Sequence, residues 1–107
     1  MTTVTQNELV VLQAIAQNEY NSANYAVPVN EHETATFMWS LADGIYRLQP
    51  GMKMPKGKAL SGTLSSLHEK GFVGSYTEGP KDDHTIWLTK EGFEIWKAHA
   101  QPKNHYE

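Results

Sequence analysis

The chain has no cysteine, and only one of its 107 residues is an arginine. Without cysteine there are no disulfides and no thiolate zinc sites, so the fold must stand on its hydrophobic core. A chain of this length can bury such a core without covalent staples. No apolar run approaches the roughly 20 residues of a membrane-spanning helix, and the opening residues Met1 to Glu8 lack the basic start and apolar stretch of a secretory signal. These absences predict one soluble, cytoplasmic domain over residues 1–100 with a polar tail over 101–107, and no membrane contact. Scarce arginine and a net charge of −3 weigh against a partner made of phosphates, provided the charge is evenly spread.

It is not evenly spread. Residues 1–50 hold five acids (Glu8, Glu19, Glu31, Glu33, Asp43) against Arg47 alone, whereas residues 51–70 hold Lys53, Lys56, Lys58 and Lys70 against Glu69. Beyond residue 70 the balance turns acidic again, with six acids and four lysines. Any cationic footprint is therefore narrow.

Thr5-Gln-Asn-Glu8 fits a capping box, a hydroxyl and a carboxylate three residues apart that satisfy each other's orphan amides. It predicts a helix over about 6–19, with Leu9, Leu12, Ile15 and Ala16 as its buried stripe and Gln6, Gln13 and Gln17 facing solvent. Residues 20–30, rich in Asn and interrupted by Pro28, read as a loop. Residues 34–48 admit two readings. Either a short strand over 34–39 precedes a helix from Ser40 to about Leu48, or one helix covers most of the stretch; Met38, Leu41, Ala42 and Ile45 at helical spacing support a helix in the second half. Gln49 to Gly57, with two prolines and two glycines, is a turn-rich connection.

Residues 58–70 carry one apolar stripe, Leu60, Leu64 and Leu67, and Gly71 stands where a helix ends. The opposite face holds Lys58, Gly62, Ser65, Ser66 and Glu69, with Ser61 and His68 on one flank. Small polar side chains allow the close approach that a major groove demands, and hydroxyls reach base edges and phosphates. The same residues also fit a plain solvated helix face. Phe72 to Tyr76 and Thr85 to Leu88 read as two strands joined by a polar tip, and Thr89 caps a closing helix that presents Phe93 and Trp96 to the core. Trp39 and Trp87 are assigned to the core as well.

Leu-x-x-Leu-x-x-Lys-Gly-Phe-Val (Leu64 to Val73), the hairpin tip with Gly and Asp, and Trp-Leu-Thr-Lys-Glu-Gly (Trp87 to Gly92) together resemble the winged helix of MarR-type transcription regulators over residues 57–99. Asn18 to Tyr20, Trp39 and the Leu-Ser-Gly-x-x-Ser-Ser-Leu run are similar to small winged-helix proteins of phages and prophages. The resemblance implies an α+β fold, a winged helix-turn-helix with a three-helix core, a β-hairpin wing and a C-terminal helix. It further implies that helix 58–70 reads the major groove of double-stranded DNA through Lys58, Ser61, Gly62 and Ser65, with Lys53 and Lys56 beside it, while wing 72–88 follows the backbone with Lys81 at its tip. Two departures stand out. Regulators of this type carry an arginine in the wing, where this chain has Lys81 among Glu78, Asp82 and Asp83, and they dimerise through long terminal helices that this chain has no room for.

Four lysines (Lys53, Lys56, Lys58, Lys81) each neutralising one phosphate give a salt slope of roughly −3.6, or about a hundredfold loss of affinity between 50 and 200 mM salt. Tight binding then calls for a homodimer on two half-sites or for a partner protein. No enzyme, cofactor or metal is expected. His32-Glu33 lacks the second histidine of a zinc-protease motif, the other histidines have no ligand spacing, and Gly57 to Gly62 lacks the Lys-Ser/Thr pair of a phosphate loop. The alternative to a DNA-binding regulator is a winged-helix module that binds another protein through its acidic surface or exposed aromatics.

Overall fold

Thr5 opens the fold as its spacing predicts: its hydroxyl accepts the Glu8 N–H at 3.1 Å, and its own N–H donates to Glu8 Oε1 at 2.8 Å. The helix that follows, α1 (Gln6–Ala16), leaves Gln6 exposed as expected and is enclosed by the rest of the domain beyond its first turn. In the computed structural model, which describes residues 4–20, 24–76 and 84–100, every residue from Val10 to Asn18 is buried. The expectation that Gln13 and Gln17 face solvent is thereby overturned, because later elements and the segment around residues 46–49 close over the side of α1 that carries them. Burying an amide costs free energy unless each donor and acceptor is paired. Here they are: Trp96 Nε1 donates to Gln13 Oε1 at 2.7 Å, while Gln13 Nε2 donates to Gln17 Oε1 at 2.6 Å and to the Arg47 carbonyl at 2.8 Å. Gln17 Nε2 continues the chain to the Tyr25 carbonyl at 2.7 Å.

The helix stops at Ala16 rather than Glu19 because Asn18 is engaged elsewhere. Its side-chain amide donates to the carbonyls of Ile15 and Thr34, and its backbone pairs with Tyr46 in an isolated antiparallel bridge. That bridge also decides between the two readings of residues 34–48. A strand, β1 (Thr36–Phe37), leads directly into a helix, α2 (Met38–Asp43), that starts two residues before Ser40 and ends well short of Leu48. Gly44, at φ 80°, turns the chain out of the helix, and the Arg47 N–H is taken by the Gln17 carbonyl at 2.9 Å, so residues 45–47 cannot be helical.

The remaining elements fall where their patterns predict. They are α3 (Lys58–Lys70), β2 (Val73–Tyr76), β3 (Thr85–Leu88) and α4 (Lys90–His99). Gly71 ends α3 in the left-handed region at φ 78°, with its N–H on the last carbonyls of the helix. The described residues thus form a small α+β domain of four α-helices and a three-stranded antiparallel sheet ordered β1-β3-β2. The third strand is an addition to the expected hairpin. Central β3 pairs Ile86 with Thr36 and Thr85 with Phe37 on one side, and Val73↔Leu88 through Tyr76↔Thr85 on the other. Ile86, Leu88 and Val73 turn inward onto α1, Leu64, Leu67, Phe93 and Trp96.

Of the three tryptophans assigned to the core, only Trp96 is there, at 0% exposure. Trp87 is half-buried on the outer sheet face, lying over Gly74, where an added Cβ would meet its indole at 2.6 Å. Trp39 is half-buried too, stacked on Phe37 with ring centroids 6.0 Å apart and touched edge-on by Tyr20 at 5.7 Å. On α2 only Ser40 and Leu41 are buried, and of the expected stripe Met38 and Ile45 are half-buried and Ala42 is exposed.

Two substitutions test this packing. Gly92 lies so close to strand β2's lead-in that a Cβ would sit 1.9 Å from the Phe72 carbonyl oxygen. Gly92→Ala should therefore destabilise the domain by about 3 kcal/mol or more in urea unfolding, the upper end for overpacking. Gln13→Leu keeps the volume but takes away the acceptor of the Trp96 N–H and the side-chain donor to the Arg47 carbonyl, and should cost about 1–3 kcal/mol in the same measurement.

Candidate nucleic-acid interface

Helix α3 presents one face to the core and one to solvent. Thr63, Leu64 and Leu67 are buried, whereas Lys58, Ala59, Ser61, Gly62, Ser65, His68 and Glu69 are exposed. Lys58, Ser61, Gly62 and Ser65 stand at i, i+3, i+4 and i+7, so the helix brings these four expected residues onto one stripe. Lys53 and Lys56 are exposed in the connection just ahead of α3. Lys81, the expected wing contact, lies outside the described residues. Gly57, the N-cap of α3, supplies no side-chain acceptor, so the amino end of the helix carries its partial positive charge beside Lys56 and Lys58. Gly62 has open space where a side chain would be, and a groove of about 550 Å³ runs from it to the start of α1.

Two residues of the lysine-rich segment point elsewhere. Ser66, placed on the outer face by its spacing, donates instead to Glu8 Oε2 at 2.5 Å. Lys70 Nζ lies 2.8 Å from Glu8 Oε1 in an ion pair whose carboxylate is only 2% exposed. Burial opposes ionisation of Glu8, but hydrogen bonds from Lys70, Ser66 and the Thr5 N–H, with the Lys70 charge, outweigh it and hold the carboxyl below its ordinary range. The carboxylate thus caps α1 and clamps α3 at once. Sequence reasoning saw only the cap, since no local pattern links Glu8 to partners 58 and 62 positions away. A second tie joins α3 to the hairpin, where Ser75 Oγ and His68 Nε2 are 3.0 Å apart.

Among the described residues, this leaves Lys53 and Lys56 exposed in the connection ahead of α3 and Lys58 exposed at its start, with Glu69 on the outer face as a carboxylate. Among the described residues no group of three or more His, Asp or Glu side chains is placed to hold a metal ion, and no helix is long and apolar enough to cross a membrane.

The Glu8 clamp makes a signed prediction. A carboxyl whose pKa is lower in the folded state contributes stability that is fully present above its unfolded value of about 4.3, and lost as pH falls through the folded value. Glu8→Gln removes that titration. In thermal unfolding across a pH series the variant should be less stable than the parent near neutrality, and the difference should shrink as the solution is acidified.

Comparison of the chain with family models, with characterised proteins and with solved structures returned no match.

Proposed function

We propose that this domain is a winged helix that binds double-stranded DNA as a transcriptional regulator, with α3 in the major groove and the β2–β3 hairpin along the backbone. The observation that carries the reading is the outer face of α3, a solvent-exposed stripe of Lys58, Ser61, Gly62 and Ser65 flanked by Lys53 and Lys56. The order of elements supports it too: a helix, a short strand, two helices and a hairpin whose second strand pairs with the first strand is compatible with a winged helix. In this reading Gly62 lets the helix backbone approach the groove. Ser61 and Ser65 offer hydroxyls to base edges or phosphates, and the three lysines neutralise phosphates alongside. Glu8 takes no part in contact. It sets the angle of α3 by holding Ser66 and Lys70.

Three phosphate contacts give a salt slope of roughly −2.7, hence about a fortyfold loss of affinity between 50 and 200 mM salt. Lys81 at the wing tip would raise the slope toward the four-lysine value. A second reading, a protein-binding module without DNA affinity, is favoured by one observation: Lys70 is occupied by Glu8, and Glu69 remains exposed on the contact face.

Fluorescence anisotropy with random duplex DNA at low and at physiological salt separates the two. A DNA binder shows salt-sensitive association, and the Lys56→Glu/Lys58→Glu double variant loses it across all sequences. Absence of binding even at low salt sinks the DNA reading and leaves the interaction module.

A further inference from the structure

Two histidines that stand apart in the sequence meet at one notch. His68, exposed on α3, and His84, half-buried just ahead of β3, line a cavity of about 180 Å³ between α3 and the β2–β3 hairpin. Ser65 and Ser75 complete its polar lining, and Met38, Leu64 and Ile86 form its apolar part. The volume is several times the roughly 30 Å³ that a water takes in the liquid. Ser65 also belongs to the outward stripe of α3, so the notch adjoins the proposed contact face.

The lining is a set of donors. Among the described residues no carboxylate lines it, and the two imidazoles are its only groups that titrate near neutrality: α3 otherwise supplies Ser65, β2 Ser75, α2 Met38 and β3 Ile86. The neighbouring titratable groups lie along the chain. Exposed Glu69 follows His68, exposed Tyr76 follows Ser75, and Asp82 and Asp83, before His84, lie outside the described residues. Ser75 Oγ and His68 Nε2 are 3.0 Å apart, and the Met38 N–H donates to the His84 carbonyl at 2.8 Å, which ties residue 84 to the start of α2. Neutral His68 with its proton on Nδ1 accepts the Ser75 hydroxyl proton at Nε2. Once protonated it has only donors, so Nε2 donates to Ser75 Oγ and the serine hydrogen turns to an acceptor in the notch. One proton thus adds a charge and releases a hydroxyl donor.

We infer that this notch holds a phosphate group of the DNA backbone, with His68 and His84 as imidazolium and Ser65 and Ser75 as hydroxyl donors, so that DNA binding takes up protons. The inference rests on the DNA reading and adds to it a phosphate site and a dependence on pH. Among the described residues no third His, Asp or Glu joins the two imidazoles to hold a metal ion instead. An anion favours the charged form of an imidazole, so binding tightens as pH falls through the range near about 6.5 where imidazoles ordinarily titrate.

The test is fluorescence anisotropy with random duplex DNA from about pH 8 to about pH 5.5, at low and at physiological salt. Parent affinity should rise about tenfold or more as pH falls, and the salt slope should steepen by about 0.9, the value of one further phosphate. His68→Gln and His84→Gln keep a polar side chain without the charge. Each should flatten the pH response and the double variant should abolish it, whereas His99→Gln, exposed at the end of α4, keeps it. Far-UV circular dichroism at each pH confirms the fold, and if the double variant is not folded the single variants decide. DNA binding of equal strength at every pH, or a pH response that survives in the folded variants, overturns the inference and leaves the DNA reading standing. Absence of binding at every pH and salt overturns both.

Discussion

Everything else in this domain is arranged around a helix that has no solvent face beyond its first turn. From Val10 onward helix α1 is covered by α3, α4 and β3 and by the segment around Tyr46, and Gln13 is as buried there as Val10 and Val11. A helical segment enclosed on all sides can carry polar residues only if the surrounding chain supplies a partner for each. Gln13, Gln17 and Asn18 therefore act as fixed points. They hold the indole of Trp96, the backbone at Tyr25 and Arg47, and the carbonyl of Thr34. Among the described residues no buried side-chain nitrogen or oxygen lacks a partner. The loops at 24–25 and 45–47 take their shapes from these amides rather than from their own turn chemistry.

The same logic positions the candidate interface. Glu8, at the open end of α1, is the one buried carboxylate among the described residues, and it receives Lys70 and Ser66 from α3 as well as the Thr5 amide. Pairing one charge with several donors is what makes its burial tolerable. The consequence for electrostatics is a subtraction. A segment that looks strongly basic along the chain presents fewer free cations in space, because one of them is turned inward. What remains outward is a small-residue stripe with lysines at its amino end, suited to close approach more than to strong attraction.

The surface divides into two regions of different chemistry. Around α3 it is polar, small and locally cationic; around Tyr20, Phe37 and Trp39 it is aromatic. Trp87 adds a third feature, an indole that shields Gly74 on the outer sheet face and so substitutes for the side chain the strand lacks.

Local patterns in the sequence determined the elements whose signals are short-ranged. The capping box of Thr5 and Glu8, the leucine stripe with Gly71, the hairpin strands and the Thr89 cap all act within a few residues, and all appear where spacing places them. The outward stripe Lys58, Ser61, Gly62 and Ser65 was equally legible, because 3.6-residue periodicity puts those positions opposite the leucines. Tertiary structure alone decided the rest. The burial of Gln13 and Gln17, the early end of α2, the inward turn of Ser66 and Lys70, and the gathering of Tyr20 with Phe37 and Trp39 all depend on partners far away in sequence. Composition suggests that a glutamine faces water; only the arrival of an indole and two carbonyls makes its burial cheaper than its exposure.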